Sequence, residues 1–169
     1  MRLGGSVWCT PISNINRRAS NKLVVSFTIQ PDEVLRRHKT VAVVGASKKP
    51  EKDAHSVPAY LMDHGYSIIP INPTADAING LKAYPSLADI PAQVAATVEV
   101  VQVFRPSEEL PEVARQVVAF KQKISRPVVF WAQEGLENDD AKQILNAAGI
   151  DYIMGICMRT QHRYLRSSN

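Results

Sequence analysis

The chain has 169 residues, of which 45% are apolar and 21% charged, and a formal net charge of +4. This size and balance are typical of one globular domain with a substantial core. No apolar run approaches the ~20 residues that cross a bilayer, so we expect no association with a membrane.

The positive charge is confined to the beginning of the chain. Residues 1–31, the leader, contain four basic residues and no acid, whereas residues 32–169 carry equal numbers of basic and acidic residues. A neutral domain lacks the electrostatic footprint of a nucleic-acid-binding protein, so we expect no nucleic acid as partner. The leader is interpreted as a weakly ordered tail or an upstream start codon, and a transit peptide is the alternative.

Cysteine and histidine are sparse and scattered. Cys9 and Cys157 form neither a disulfide framework nor a metal-binding spacing, which fits a reducing compartment. The four histidines are not clustered, and we predict no metal site. The expected location is the cytoplasm, or the mitochondrion if the leader is a transit peptide.

From Pro31 the chain alternates between helical and strand patterns. A short helix covers 31–38, and a helix at 54–64 ends at Gly65. Segment 78–84 reads as a loop or short strand, and 86–90 as one helical turn. Long amphipathic patterns predict helices at 107–123 and 138–148, and a basic segment, 158–166, closes the chain. The five predicted strands, numbered first to fifth, are 40–44, 66–71, 97–104, 127–131 and 150–154.

Five apolar strands that alternate with helices predict an α/β fold. We expect a doubly wound, Rossmann-like parallel sheet of order 3-2-1-4-5, covered by helices on both faces, in one domain at 32–169. In such sheets ligands bind beyond the carboxyl ends of the strands. The candidate binding residues at those ends are Gly45, Ala46, Ser47, Lys48, Lys49, Lys52, Asn72, Pro73, Phe104, Arg105, Trp131, Gln133 and Cys157.

The first strand and the turn after it, Thr40 to Ser47, carry the strongest signal. A glycine at the end of a buried strand lets a ligand approach the backbone, and the following helix favours an anion at its N-terminus. Gly45 and Ser47 can present amides and a hydroxyl to a pyrophosphate. The nearby lysines and Arg105 can neutralise phosphates. Phe104 and Trp131 either offer flat apolar surface to a ligand or close the end of the sheet.

An NAD site is disfavoured by two features. The turn has one glycine instead of G-x-G-x-x-G, and the second strand ends in Pro70-Ile71-Asn72-Pro73, where an NAD site places an acid. A neutral end tolerates a phosphorylated ribose better than a carboxylate would. This pattern favours coenzyme A or NADP.

Ordered motifs along residues 33–166 resemble a known family. They are Val43-Val44-Gly45-Ala46-Ser47, Pro50-Glu51-Lys52, Val57-Pro58-Ala59-Tyr60-Leu61, Ile71-Asn72-Pro73, Tyr84-Pro85-Ser86-Leu87, Val103-Phe104-Arg105-Pro106, Trp131-Ala132-Gln133-Glu134-Gly135 and Cys157. Together they resemble the small single-domain CoA-binding proteins, which are related to the CoA-binding domain of succinyl-CoA synthetase. The resemblance implies a Rossmann-like fold that binds coenzyme A.

The resemblance also implies roles by position. Residues 45–47 and Lys52 look like the phosphate contacts, whereas Asn72-Pro73, Phe104-Arg105 and Trp131-Gln133 look like the walls around the rest of the cofactor. The family often carries Asp-Arg before its late cysteine, and here Gly155-Ile156 stand there. A basic contact near Cys157 is therefore absent or supplied by Arg159.

The function predicted from the sequence is binding of coenzyme A or an acyl-CoA, with no evident catalytic residues. Cys157 leaves open a thiol-redox protein that forms a mixed disulfide with coenzyme A. The related synthetases leave open a CoA-binding subunit of an acyl-CoA synthetase, whose protein partner is unknown. An NADP-dependent oxidoreductase is less favoured because no catalytic acid–base set can be placed.

Overall fold

The computed structural model describes residues 25–168. The strands are Ser26–Phe27 (β1), Thr40–Val44 (β2), Ser67–Ile71 (β3), Ala77–Ile78 (β4), Leu81–Lys82 (β5), Val100–Val103 (β6), Val129–Glu134 (β7) and Tyr152–Gly155 (β8). The α-helices are Pro31–Arg37 (α1), Asp53–Met62 (α2), Ala92–Ala95 (α3), Leu110–Ile124 (α4), Asp139–Ala147 (α5) and Met158–Ser167 (α6).

The predicted α/β class is confirmed, and the sheet has one strand more than predicted. Its order is β1-β8-β7-β6-β2-β3, with β1 antiparallel to β8 and the other five strands parallel. Residues 1–24 of the predicted leader, and with them the transit-peptide question, lie outside the described residues. The end of that leader forms β1, whose Ser26 pairs with Met154.

The predicted order 3-2-1-4-5 is wrong, because the third predicted strand, β6, pairs with β2 and not with β3. In the numbering of the predicted strands the observed order is 2-1-3-4-5. The outer edge of β3 is occupied by Tyr84, whose amide donates to Pro70 O at 3.0 Å and whose carbonyl accepts from Asn72 N at 2.9 Å. The chain then crosses the sheet and forms β6, which pairs with β2 on the side away from β3.

Two apolar cores lie on opposite faces of the sheet. On one face α4 buries the i, i+3, i+7 series Leu110, Val113 and Val117, and α5 packs beside it. On the other face α1, α2 and α6 pack through residues such as Leu35 and Leu61. Because helices cover both faces, the parallel strands are apolar on both sides, as their composition predicts.

Helix α6 is attached by polar contacts as well as by its buried Met158 and Leu165. Arg159 donates to Ser56 Oγ at 3.0 Å and to Asp53 Oδ1 at 3.1 Å, and Gln161 Nε2 donates to Asp32 Oδ1 at 2.7 Å. The imidazole Nδ1 of His162 lies 3.0 Å from the hydroxyl of Tyr60. These contacts join α6 to α1 and to α2.

His162 lies in a cluster of aromatic rings. It is only 7% exposed, and its ring centroid is 5.4 Å from that of His64 and 5.5 Å from that of Tyr66. Burial lowers the pKa of His162, and the nearby His64, Lys39 and Arg166 lower it further. Burial also raises the pKa of Tyr66 to about 12. The fold therefore favours the neutral form of His162.

This arrangement predicts that acid weakens the fold. Because the pKa of His162 is lower in the folded than in the unfolded chain, the unfolded chain binds the proton more readily, and stability falls as the pH drops below about 6.5. One such group contributes at most about 1.4 kcal/mol per pH unit. We expect His162→Gln, which cannot titrate, to flatten the dependence of the unfolding free energy on pH between 7.5 and 5, measured by urea denaturation. Equal slopes for the two proteins would contradict this role.

Candidate functional site

The turn after β2, residues 45–52, is closed by backbone hydrogen bonds. Gly45 has a φ of +83°, a conformation that glycine adopts without steric cost. Its amide donates to Ile71 O at 3.2 Å, and the amide of Ser47 donates to Ala54 O at 3.1 Å. These two amides are therefore already used, contrary to the expectation that they face a ligand. The amides of Ala46 and Lys48 have no acceptor within residues 25–168.

Ser47 and His55 fix the shape of this turn. The hydroxyl of Ser47 accepts from the amide of Lys49 at 3.1 Å, and Ser47 O lies 2.8 Å from His55 Nδ1. Since a carbonyl oxygen only accepts, Nδ1 of His55 is the donor in this hydrogen bond. No sequence pattern indicated this role of His55, because the contact depends on the shape of the turn.

The turn displays three lysines at the start of α2. Lys48, Lys49 and Lys52 are exposed, and none forms a salt bridge with the described residues. The turn leads directly into the N-terminus of α2, where backbone amides and the helix dipole favour an anion. This is the positive side of the candidate site.

Asn72 ties the end of β3 to the turn. Its Nδ2 donates to Ala46 O at 2.8 Å, and its Oδ1 accepts from both the amide and the hydroxyl of Thr74, at 2.8 and 3.0 Å. Pro73, the next residue, is exposed. Asn72 therefore places no charge at the end of β3, and its side-chain amide holds the loop in place.

Phe104 and Arg105 reach the turn from β6. A Cβ built on Gly45 would lie 3.1 Å from Arg105 Cδ and 3.2 Å from Phe104 O, so the two chain segments touch. The side chain of Phe104 is half-buried, whereas Arg105 is exposed and paired with Glu109. The structure thus brings together the predicted residues at the ends of β2, β3 and β6.

The predicted residues from β7 occupy a different environment. Trp131 is 0% exposed and its Nε1 donates to Ile156 O at 2.8 Å, so it closes the end of the sheet and offers no surface to a ligand. Gln133, 5% exposed, accepts from the amide of Met158 at 3.1 Å, and its Nε2 has no partner among the described residues. Both side chains hold the segment that carries Cys157.

Cys157 and Arg159 lie at the start of α6. Cys157 is half-buried with a free thiol, and it directly precedes the first residue of the helix. The contacts of Arg159 with Ser56 and Asp53 place its guanidinium against the first turn of α2. Arg159 therefore brings a basic group to this edge, although Gly155-Ile156 replace the family's Asp-Arg.

Two further features concern residues 25–168 as a whole. Within that range no helix has both the length and the apolar composition that crossing a membrane requires. No group of three or more histidine, cysteine or acidic side chains in that range is arranged to hold a metal ion.

Taken together, the molecule is a doubly wound α/β domain with a glycine turn and a basic helix N-terminus after its first parallel strand. Residues 39–163 match the family of CoA binding domains, and the chain belongs to that family. The resemblance drawn from the motifs is thereby confirmed.

Three relatives illustrate the similarity. An uncharacterised Bacillus subtilis (strain 168) protein, YneT, is 42% identical over 130 residues, which cover 77% of this chain and 90% of YneT. The solved structure of a hypothetical protein from Pyrococcus horikoshii OT3 matches with a TM-score of 0.70 and 36% identity, over 80% of this chain and 89% of that chain. ADP-forming acetate–CoA ligase II of Archaeoglobus fulgidus is 40% identical over 77 residues, which are 44% of this chain but only 11% of the ligase.

The contact at Gly45 can be tested by adding one methyl group. We expect Gly45→Ala to destabilise the protein more than Gly65→Ala, which has nearly the same φ, +84°, but nothing within 4 Å of the new Cβ. Both variants carry the strain of a positive φ, about 1 kcal/mol, whereas only the first must also displace Arg105 and Phe104. Chemical denaturation measures the difference, and equal losses would show that the close contact is unimportant.

Proposed function

We propose that this protein binds coenzyme A or an acyl-CoA at the carboxyl edge of β2, β3 and β6. The observation that carries the proposal is the 45–52 turn, which brings three exposed lysines, without salt bridges to the described residues, to the N-terminus of α2. The membership of residues 39–163 in the CoA-binding domain family supports the same ligand.

The donor set fits the phosphates of this cofactor. The free amides of Ala46 and Lys48 and the first turn of α2 are suited to the diphosphate, which carries its charge in a compact group. Lys48, Lys49 and Lys52 are flexible point charges that can follow either the diphosphate or the phosphate on the ribose. Arg105 adds a planar group that can contact two oxygens at once.

Asn72 favours coenzyme A over NAD. Its side chain is neutral, and its hydrogen bonds to Ala46 and Thr74 hold it in place beside the turn. A carboxylate at this position would accept from a ribose diol but repel a ribose phosphate. A neutral, engaged amide does not repel a phosphorylated ribose.

The proposal assigns binding to this chain and assigns it no catalytic step. The similarity to the acetate–CoA ligase supports a second use of the same binding, as the CoA-binding part of an acyl-CoA synthetase whose other parts belong to a partner. ATP-dependent formation of acyl-CoA by the purified protein alone would overturn the assignment of binding without catalysis.

Titration calorimetry with coenzyme A tests the proposal. We expect the wild-type protein to bind, and the double variant Lys52→Glu with Arg105→Glu to bind at least about 10-fold more weakly, because two attractive charges become repulsive. The matched control is Arg37→Glu with Arg115→Glu, which reverses two exposed arginines outside the site. Absence of heat from a folded wild-type protein, or equal affinity of the two double variants, would contradict the proposal.

A second candidate, formation of a mixed disulfide with coenzyme A, is favoured by Cys157, a half-buried residue with a free thiol just before α6. In this reaction the Cys157 thiolate attacks the disulfide of oxidised coenzyme A. One S–S bond forms, the original one breaks, and a coenzyme A thiolate leaves and takes up a proton. No further oxidant is required.

Intact-mass analysis after treatment with oxidised coenzyme A tests this candidate. We expect an adduct on the wild-type protein that is lost in Cys157→Ser. An adduct that persists in that variant would place the reaction on Cys9 and reject Cys157.

A further inference from the structure

Arg105 is held at both ends of its side chain. Its stem lies against Gly45, where a Cβ would come within 3.1 Å of Cδ. Its head contacts a single oxygen of Glu109, which Nε approaches at 2.7 Å and Nη2 at 2.6 Å. The guanidinium is thereby fixed beside the 45–52 turn.

These contacts leave part of the guanidinium free. Arginine has five N–H donors, of which Nε donates to Glu109 Oε2, while Nη2 lies at ion-pair distance from the same oxygen. Both donors of Nη1 have no acceptor within residues 25–168 and remain for a ligand oxygen. An oxygen of a bound anion can therefore join the group without displacing Glu109.

The pair contributes little to the stability of the fold. Both side chains are largely in water, 45% and 41% exposed, and exposed ion pairs of this kind have small effects on stability. The same pair can matter more for binding, because a free arginine side chain loses much rotamer entropy when a ligand orders it. In this protein the contacts with Gly45 and Glu109 already order the Arg105 side chain before a ligand binds.

We propose that Glu109 is a positioning residue for the anionic part of the ligand. It does not contact the ligand itself, and acts by holding Arg105 over the glycine turn in the orientation that receives a phosphate. This inference rests on the proposed function, because it requires an anionic ligand at the turn. It adds a residue that lies outside the family motifs found in the sequence, four positions after Arg105.

Calorimetry with coenzyme A on the full-length protein tests the inference. We expect Glu109→Ala to weaken binding about 3- to 10-fold, toward the lower end of the coupling found between residues in one network. Glu109→Gln keeps a side-chain oxygen acceptor for Nε and should recover part of the loss. Glu112→Ala is the matched control, because Glu112 forms an exposed ion pair with another arginine, Arg115, on α4 and should leave affinity unchanged.

A double-mutant cycle separates positioning from a general structural effect. In an Arg105→Ala background, Glu109→Ala should have no further effect on affinity, whereas a structural role would produce the same loss in both backgrounds. Tighter binding by Glu109→Ala would show that Glu109 competes with the ligand, and unchanged binding would show that it is irrelevant. Either result overturns the inference and leaves the proposed function intact, whereas a wild-type protein that does not bind coenzyme A overturns both.

Discussion

The close contact between Gly45 and the residues after β6 organises the carboxyl edge of the sheet. At Gly45 the chain must turn with a positive φ, accept the backbone of Phe104 within van der Waals distance, and donate its amide to Ile71. A Cβ here would be strained by the positive φ and crowded by Phe104 O and Arg105 Cδ. Three strand ends are thus drawn together around one residue, and the basic turn and Arg105 lie side by side as a consequence.

Much of the fold could be predicted because each parallel strand is a short apolar segment between amphipathic helices. The first strand, Thr40–Val44, has the predicted bounds. The order of strands was not predictable from helix and strand patterns alone, since both orders have the same sequence of elements. One local signal did favour the observed order: Pro70 lies inside β3, and a proline is tolerated mainly in a strand at the edge of a sheet. The predicted order would have placed that strand between two others.

The candidate site was predictable where it depends on sequence neighbours. Residues that directly follow β2, β3 and β6 meet at one edge because the strands are parallel, and this places Gly45, Asn72 and Arg105 together. The details that depend on tertiary contacts were not predictable. Which amides of the turn are free depends on partners at Ile71 and Ala54, and the burial of Trp131 depends on the return of the chain at Ile156.

The antiparallel strand β1 has a practical consequence for work with this protein. It pairs with β8, so the chain enters the described domain at the margin of the sheet farthest from β3. Four strand spacings, about 19 Å, separate β1 from β2 and its turn. A single fluorescent label at the exposed Phe27 would therefore lie on the flank away from the lysine-rich turn and leave that turn uncovered during a binding measurement.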